Sequence, residues 1–195
     1  MFKIEKLKTY VINLDRRPDR LKQLNLPIKW ERFSATDGQI YTDVIPKQRG
    51  WRGCYDSHTR LINGLKNEKS EYYLIFEDDV EVCDNFIETL EKTVNQLPED
   101  WELLFLGGWN VGDKINHSVG IDIANKVYCM HAYMVKSNAL DKLIEKYNSR
   151  IYKVDVLLAE LLPELKSYIC NPTIAWQRPG FSDIENRETN NVHLR

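Results

Sequence analysis

The chain has 195 residues, 43% of them hydrophobic, with 27 Lys+Arg against 29 Asp+Glu and a net charge of −2. That length predicts one domain, residues 1–185 with a polar tail at 186–195, and a core that needs no disulfide or zinc staple. The charge balance argues against a nucleic-acid binder, and the longest apolar run, Tyr72 to Phe76, falls far short of the ~20 residues that span a bilayer.

Lys8–Leu14 is a β-branched run that predicts a first strand, and the RRPDR segment after it opens a helix with Pro18 in its first turn. Ile28–Ala35 reads as a second strand, closed by Asp37-Gly38. Residues 39–50 read as a loop punctuated by Pro46 and Gly50. From Gly53 to Lys66 the apolar residues Cys54, Leu61, Ile62 and Leu65 keep helical spacing, with His58 on the same row. Glu71–Phe76 is a continuous apolar strand of the kind covered on both faces, and it runs into Glu77-Asp78-Asp79. Phe86, Ile87, Leu90, Val94 and Leu97 mark an amphipathic helix ended by Pro98. Glu102–Leu106 and Lys126–Val135 read as strands, and Ser137 as the cap of a helix carrying Leu140, Leu143, Ile144 and Tyr147. A short Leu-rich helix follows Asp155, then a last strand at Lys166–Cys170 and a loosely ordered polar end beyond Pro179. Strands alternating with helices predict an α/β sandwich with a mainly parallel central sheet.

Chemistry concentrates where strands end. Three adjacent carboxylates at Glu77-Asp78-Asp79 repel one another, so they call either for a hard divalent cation or for an exposed turn that caps the next helix. Alternation points Glu77 and Asp79 to one side and Asp78 to the other. Arg16, Arg17 and Arg20 fit a diphosphate at a helix start, and equally an ordinary exposed first turn. His58 reads as a core histidine or a catalytic one, Asp155 as a helix N-cap or a base. Residues 1–70 hold 15 Lys/Arg and 8 Asp/Glu and the rest 12 and 21, which suits an anionic ligand beside a metal and also plain unevenness of a solvated surface. Cys54, Cys83, Cys129 and Cys170 are scattered without a C-x-x-C pair. They predict free thiols, and with no signal-peptide h-region a cytoplasmic protein. No phosphate-loop, Rossmann, serine-hydrolase or zincin motif is present.

Seven segments in order, VINLDRRPDRL (11–21), ATDG (35–38), GCYDSH (53–58), YLIFEDDVEV (73–82), DWELLFLG (100–107), AYMVKSNALDKL (132–143) and KVD (153–155), resemble glycosyltransferase family 25. That family includes bacterial lipooligosaccharide galactosyltransferases and collagen β-galactosyltransferases. The resemblance implies a GT-A-like nucleotide-sugar-binding fold, a UDP-sugar donor (often UDP-galactose), Mn²⁺ or Mg²⁺, and inversion at the anomeric carbon. By position it implies Asp79 as a metal ligand and Asp78 as a ligand or ribose contact. Asn13, Arg17, Arg20, Asp37 and Ser57 fall on the nucleotide side; His58 completes the family's Ser-His pair, and Asp155 matches a base. Gln177, Asp183 and His193 are candidates for a third ligand.

One departure stands out. The family's Gly-Glu-x-Gly-Cys reads Gly50-Trp51-Arg52-Gly53-Cys54 here; Trp51 can stack on a base or sugar, or shield the core. The implied function is hexose transfer to a lipooligosaccharide or surface glycan. Two alternatives stay open: the same chemistry on a hydroxylated protein or hydroxymethylated DNA base, and a non-catalytic nucleotide-sugar-binding module. Oligomeric state is not readable from the sequence.

Overall fold

The computed structural model describes residues 1–190. Its strands, in chain order, are Leu7–Asn13 (β1), Glu31–Ser34 (β2), Tyr72–Glu77 (β3), Val80–Val82 (β4), Leu103–Phe105 (β5), Trp109–Asn110 (β6) and Ile115–Ser118 (β7). They continue with Ile121–Ile123 (β8), Val127–Tyr128 (β9), Ala132–Lys136 (β10), Ser167–Cys170 (β11), Ala175–Gln177 (β12), Gly180–Ser182 (β13) and Arg187–Thr189 (β14). The helices are Pro18–Lys22 (α1), Pro46–Leu65 (α2), Phe86–Val94 (α3), Leu140–Ser149 (α4) and Val154–Leu161 (α5).

Eight strands form one sheet in the order β2-β1-β3-β10-β5-β11-β8-β7. β1 pairs in parallel with β2 and β3, and β5 with β11, while β10 and β8 run antiparallel to their neighbours. Six of the eight strands therefore share one direction, which is the mainly parallel α/β sheet expected from the sequence.

The period-2 alternation of β3 divides the core in two. Tyr73 and Ile75 pack on one face with Leu61, Ile62 and Leu65 of α2, Leu143 and Tyr147 of α4, and Leu157 and Leu158 of α5. Leu74 and Phe76 pack on the other with Phe86, Leu90 and Val94 of α3. Burial on both sides is why this strand reads as an unbroken apolar run.

Several expectations are corrected. The segment read as a loop over 39–50 contributes the start of α2, which begins at Pro46 in its first turn. Gly50 is not punctuation but, like Gly53, a place where other backbone touches the helix: a Cβ on Gly50 would collide with the Ile184 carbonyl oxygen, and one on Gly53 would lie 2.6 Å from that of Thr36. The strand expected over 126–135 is broken at Cys129, whose φ of 66° lies in the left-handed region. Ser137 makes no capping bond; it opens a 3₁₀ turn over Ser137–Ala139 ahead of α4. β11 is not the last strand. The polar segment after Pro179 forms the antiparallel hairpin β13–β14, and only 191–195 of the expected tail, with His193, lie outside the described residues. No helix among the described residues is long and apolar enough to cross a membrane. All four cysteines are free.

In register, Ile12 of β1 stands beside Glu77 of β3, and Asn13 beside Ser34 of β2. The carboxyl ends of three parallel strands thus open at one place, where ligands bind in open α/β sheets.

The two kinds of helical glycine give opposite expectations. Gly53→Ala is expected to lower stability by about 1–3 kcal/mol through overpacking. Gly64→Ala, where a Cβ would meet nothing within 4 Å, is expected to raise it by roughly 0.5–1 kcal/mol. Urea denaturation midpoints of the two variants check both signs.

Candidate functional site

A cleft of about 730 Å³, counting the space open to solvent, lies over these strand ends. Its floor is Ile12, Leu14 and Glu77-Asp78-Asp79. Ala35 to Gln39 form one wall, Gly50, Cys54, Ser57 and His58 of α2 another, and Ser182, Asp183 and Ile184 of the C-terminal hairpin a third. Arg16, Arg20 and Gln177 reach in from the sides.

The three carboxylates are handled differently. Asp78 turns away from its two neighbours and is fully engaged: Asn13 Nδ2 donates to Oδ2 at 2.7 Å and Arg20 Nη1 to Oδ1 at 2.5 Å. Asn13 is buried beneath the cleft; its Nδ2 also donates to the Arg17 carbonyl at 2.9 Å, and its Oδ1 accepts from Arg32 Nε at 2.9 Å. It is a rivet holding β1, the start of α1 and Asp78 together. Glu77 faces α2, where Oε1 lies 3.3 Å from His58 Nε2 and 3.9 Å from Cys54 Sγ, and Gln177 Nε2 donates to Oε2 at 3.4 Å. Asp79 has a buried Oδ1 with no hydrogen-bond partner, and its Oδ2 lies 3.7 Å from Arg20.

The electrostatics follow from that geometry. Burial, then the Glu77 carboxylate beside it, pushes Asp79 up to about 7. Burial also works to raise Glu77, but the His58 contact and the charges of His131 and Arg20 outweigh it and bring Glu77 below its ordinary value. Cys54 is driven well up by burial and by the Glu77, Asp155 and Asp79 charges. A buried orphan carboxylate oxygen next to a second carboxylate is a donor set of hard oxygens, and it fits a divalent cation.

The arginines are already partnered. Arg16 donates to Asp37 Oδ2 through Nε and to Asp183 Oδ1 through Nη1, each at 2.6 Å. Arg17 also pairs with Asp183 and with Asp19, and Arg20 Nη2 donates to the Phe181 carbonyl at 2.5 Å. Three guanidinium groups thus converge on one hairpin. Arg17 is not on the cleft wall, whereas Arg16, outside the set implied by the resemblance, is.

Ser57 lines the cleft, but its hydroxyl is spent on backbone: it accepts from Thr36 N at 2.9 Å and donates to Gly53 O at 2.6 Å. His58 is 1% exposed, with Nδ1 2.9 Å from the Tyr133 hydroxyl. Asp155 is not an N-cap: Lys153 holds that position, and Asp155 sits in the first turn of α5, accepting from Val156 N at 2.9 Å. It is half-buried and off the cleft wall, yet its charge is felt at both Cys54 and Cys129. Trp51 rests half-buried against Tyr152, ring centroids 6.3 Å apart.

The sequence placed Glu77 in the carboxylate triplet and on the side of Asp79, but gave it no ligand role of its own. It grouped Arg16 with Arg17 and Arg20 as suited to a diphosphate without singling it out, and it had Asp183 only as a possible ligand.

In metal-free buffer Asp79 sets a stability signature. Its folded-state value is raised from 3.8 to about 7, so its favourable contribution is present while it is protonated and is lost as pH rises through about 7. In EDTA, Asp79→Asn is expected to melt above the unaltered protein at pH 8, with the gap narrowing as pH falls toward 4. Thermal melts across that range read it directly.

Comparison with known proteins gives a family match over residues 6–119, to "Glycosyltransferase family 25 (LPS biosynthesis protein)". A putative glycosyltransferase, R655, of Acanthamoeba polyphaga mimivirus is 26% identical over 147 residues, 66% of this chain and 45% of that protein. The human "Inactive glycosyltransferase 25 family member 3" is 26% identical over 70% of this chain and 28% of its own length. The chain thus spans less than half the length of these relatives. Among solved structures, a glycosyltransferase involved in glycosylation of the major capsid of PBCV-1 superposes with a TM-score of 0.53, at 10% identity, covering 85% of this chain and 81% of that one.

Proposed function

The chain belongs to glycosyltransferase family 25, and on that premise we propose that it transfers a hexose, galactose favoured, from a UDP-sugar to a hydroxyl of a glycan such as a lipooligosaccharide. Residues 1–185 act as the catalytic unit, and the free thiols fit a reducing cytoplasm. The observation that carries this reading is the meeting, at the carboxyl ends of β1 and β3, of an orphaned Asp79 oxygen beside the Glu77 carboxylate and a set of arginines around one cleft.

Asp79 and Glu77 are the residues that would hold Mn²⁺ or Mg²⁺. Asp78, with both oxygens taken, positions Arg20 instead. When bound, such an ion neutralises charge gathering on a diphosphate leaving group. Arg16 and Arg20 present guanidinium forks to the same phosphates, and Asp37 orients Arg16. His58 steers Glu77 through Nε2 and is a positioning residue. Asp155 stands as the base on the acceptor side. It takes the acceptor hydroxyl proton while that oxygen bonds to the anomeric carbon and the bond to the UDP oxygen breaks on the opposite face, giving inversion.

A second reading, a module that binds nucleotide sugar without transferring it, is favoured by one observation: Asp155 is not on the cleft wall. The two separate in one assay. Purified protein with Mn²⁺ and a panel of UDP-, GDP- and CMP-sugars is expected to release UDP from one donor and to stop in EDTA. UDP bound with Mn²⁺ but never released from a sugar, even with glycan acceptors present, favours the module; no nucleotide bound at all overturns both.

Two substitutions then divide the roles. Asp155→Asn is expected to cut turnover by about 10²–10⁴-fold with UDP affinity kept, whereas Asp79→Ala is expected to abolish the Mn²⁺-dependent part of UDP binding. Turnover measured beside UDP titration calorimetry distinguishes them, and normal turnover in Asp155→Asn removes Asp155 as base.

A further inference from the structure

The face of α2 beside Glu77 carries a thiol that the proposed sugar transfer does not use. Cys54 and His58 lie four residues apart on one face of α2, and Glu77 meets them from the end of β3. Their donor atoms, Sγ, Nε2 and a carboxylate oxygen, lie within 4.8 Å of one another. No other such trio is found among the described residues.

We propose that Cys54, His58 and Glu77 form a binding site for a thiophilic divalent cation, with Zn²⁺ as its natural occupant. Zinc bonds of ~2.3 Å to sulfur and ~2.0–2.1 Å to nitrogen or oxygen in a tetrahedron require edges of about 3.3 Å between nitrogen and oxygen and about 3.6 Å between sulfur and oxygen. The present separations are 3.3 Å for His58 Nε2 to Glu77 Oε1 and 3.9 Å for Cys54 Sγ to the same oxygen. These two edges are within a few tenths of an ångström of what an ion requires, and the third, from Cys54 Sγ to His58 Nε2, lies within 4.8 Å.

The support behind the ligands is also in place. Tyr133 Oη lies 2.9 Å from His58 Nδ1; with that nitrogen donating to the tyrosine oxygen, Nε2 keeps its lone pair for the metal. This is the outer-shell arrangement that metal-bound histidines use. Gln177 holds the second Glu77 oxygen. All three ligands line the cleft, which gives an ion a path in and leaves the fourth position to water. On binding, the Cys54 thiol loses its proton to solvent and the sulfur bonds to the ion. A sulfur ligand selects against Mg²⁺ and Mn²⁺, which prefer all-oxygen sites, so this site and the carboxylate pair differ in chemistry while sharing Glu77. The inference does not depend on sugar transfer.

Co²⁺ titration of the full chain tests it spectroscopically, apart from any activity. The expected result is a near-ultraviolet thiolate-to-cobalt band, displaced by Zn²⁺, lost in Cys54→Ser and kept in Cys129→Ser. Tyr133→Phe is expected to weaken Zn²⁺ binding by about 10–100-fold. Should Cys54→Ser fail to fold, the unaltered protein answers alone: Zn²⁺ is expected to slow alkylation of Cys54 by about tenfold or more, since the thiolate is the reacting form, and to leave Cys83 unprotected in the same peptide map. A cobalt spectrum without the thiolate band, a band that survives in Cys54→Ser, or Cys54 alkylation indifferent to Zn²⁺ overturns the site and leaves a hydrogen-bonded trio.

Discussion

The whole arrangement depends on ending a fully buried strand in three negative charges. β3 is apolar on both faces because helices cover both, so Glu77, Asp78 and Asp79 emerge where the dielectric is low and water scarce. Unpaired charge there is expensive, and each carboxylate meets the problem in its own way. Asp78 is matched by a guanidinium and an amide, Glu77 by an imidazole, and Asp79 by holding its proton up to about pH 7. Of the three on the cleft floor, Asp79 is the one left with an oxygen that has no partner.

The counter-charges come from elements that the sheet order brings together. α1 follows β1 and supplies Arg20; β1 itself supplies Asn13; and the β13–β14 hairpin, from the far end of the chain, closes over both through Asp183. Gly50 and Gly53 allow this closure, because α2 passes so near the 36–38 loop and the hairpin that a methyl group at either position meets backbone. Packing of the bare helix backbone and placement of the charged cleft are thus one constraint.

The local features were legible in the sequence and the distant ones were not. The strand, the carboxylate triplet after it and the α/β class follow from periodicity and chain order. Gly50 misled because a glycine read alone signals a break, whereas its cause is a neighbour 134 residues later, Ile184. The interruption at Cys129 has no local mark, since cysteine is not a residue that advertises a positive φ. Asp183 lies in a segment whose polar composition reads as disorder, and its partners Arg16 and Arg17 are some 166 residues away. At Asp155 the N-cap reading failed because the helix starts one residue earlier, at Val154, so that Lys153 is the cap.

The three-way contact at Asp183 has a consequence for any anion that enters the cleft. Arg16 and Arg17 are not bare cations waiting for a ligand; they are neutralised by the protein's own carboxylate. A phosphate that takes Arg16, the one of the two on the cleft wall, displaces Asp183 from it, so binding is an exchange of one anion for another, and its free energy is the difference between two similar pairings. Such a swap releases fewer screening ions than a capture by naked arginines. Discrimination then falls to the parts of a ligand that a carboxylate cannot imitate: the second phosphate, the base and the sugar.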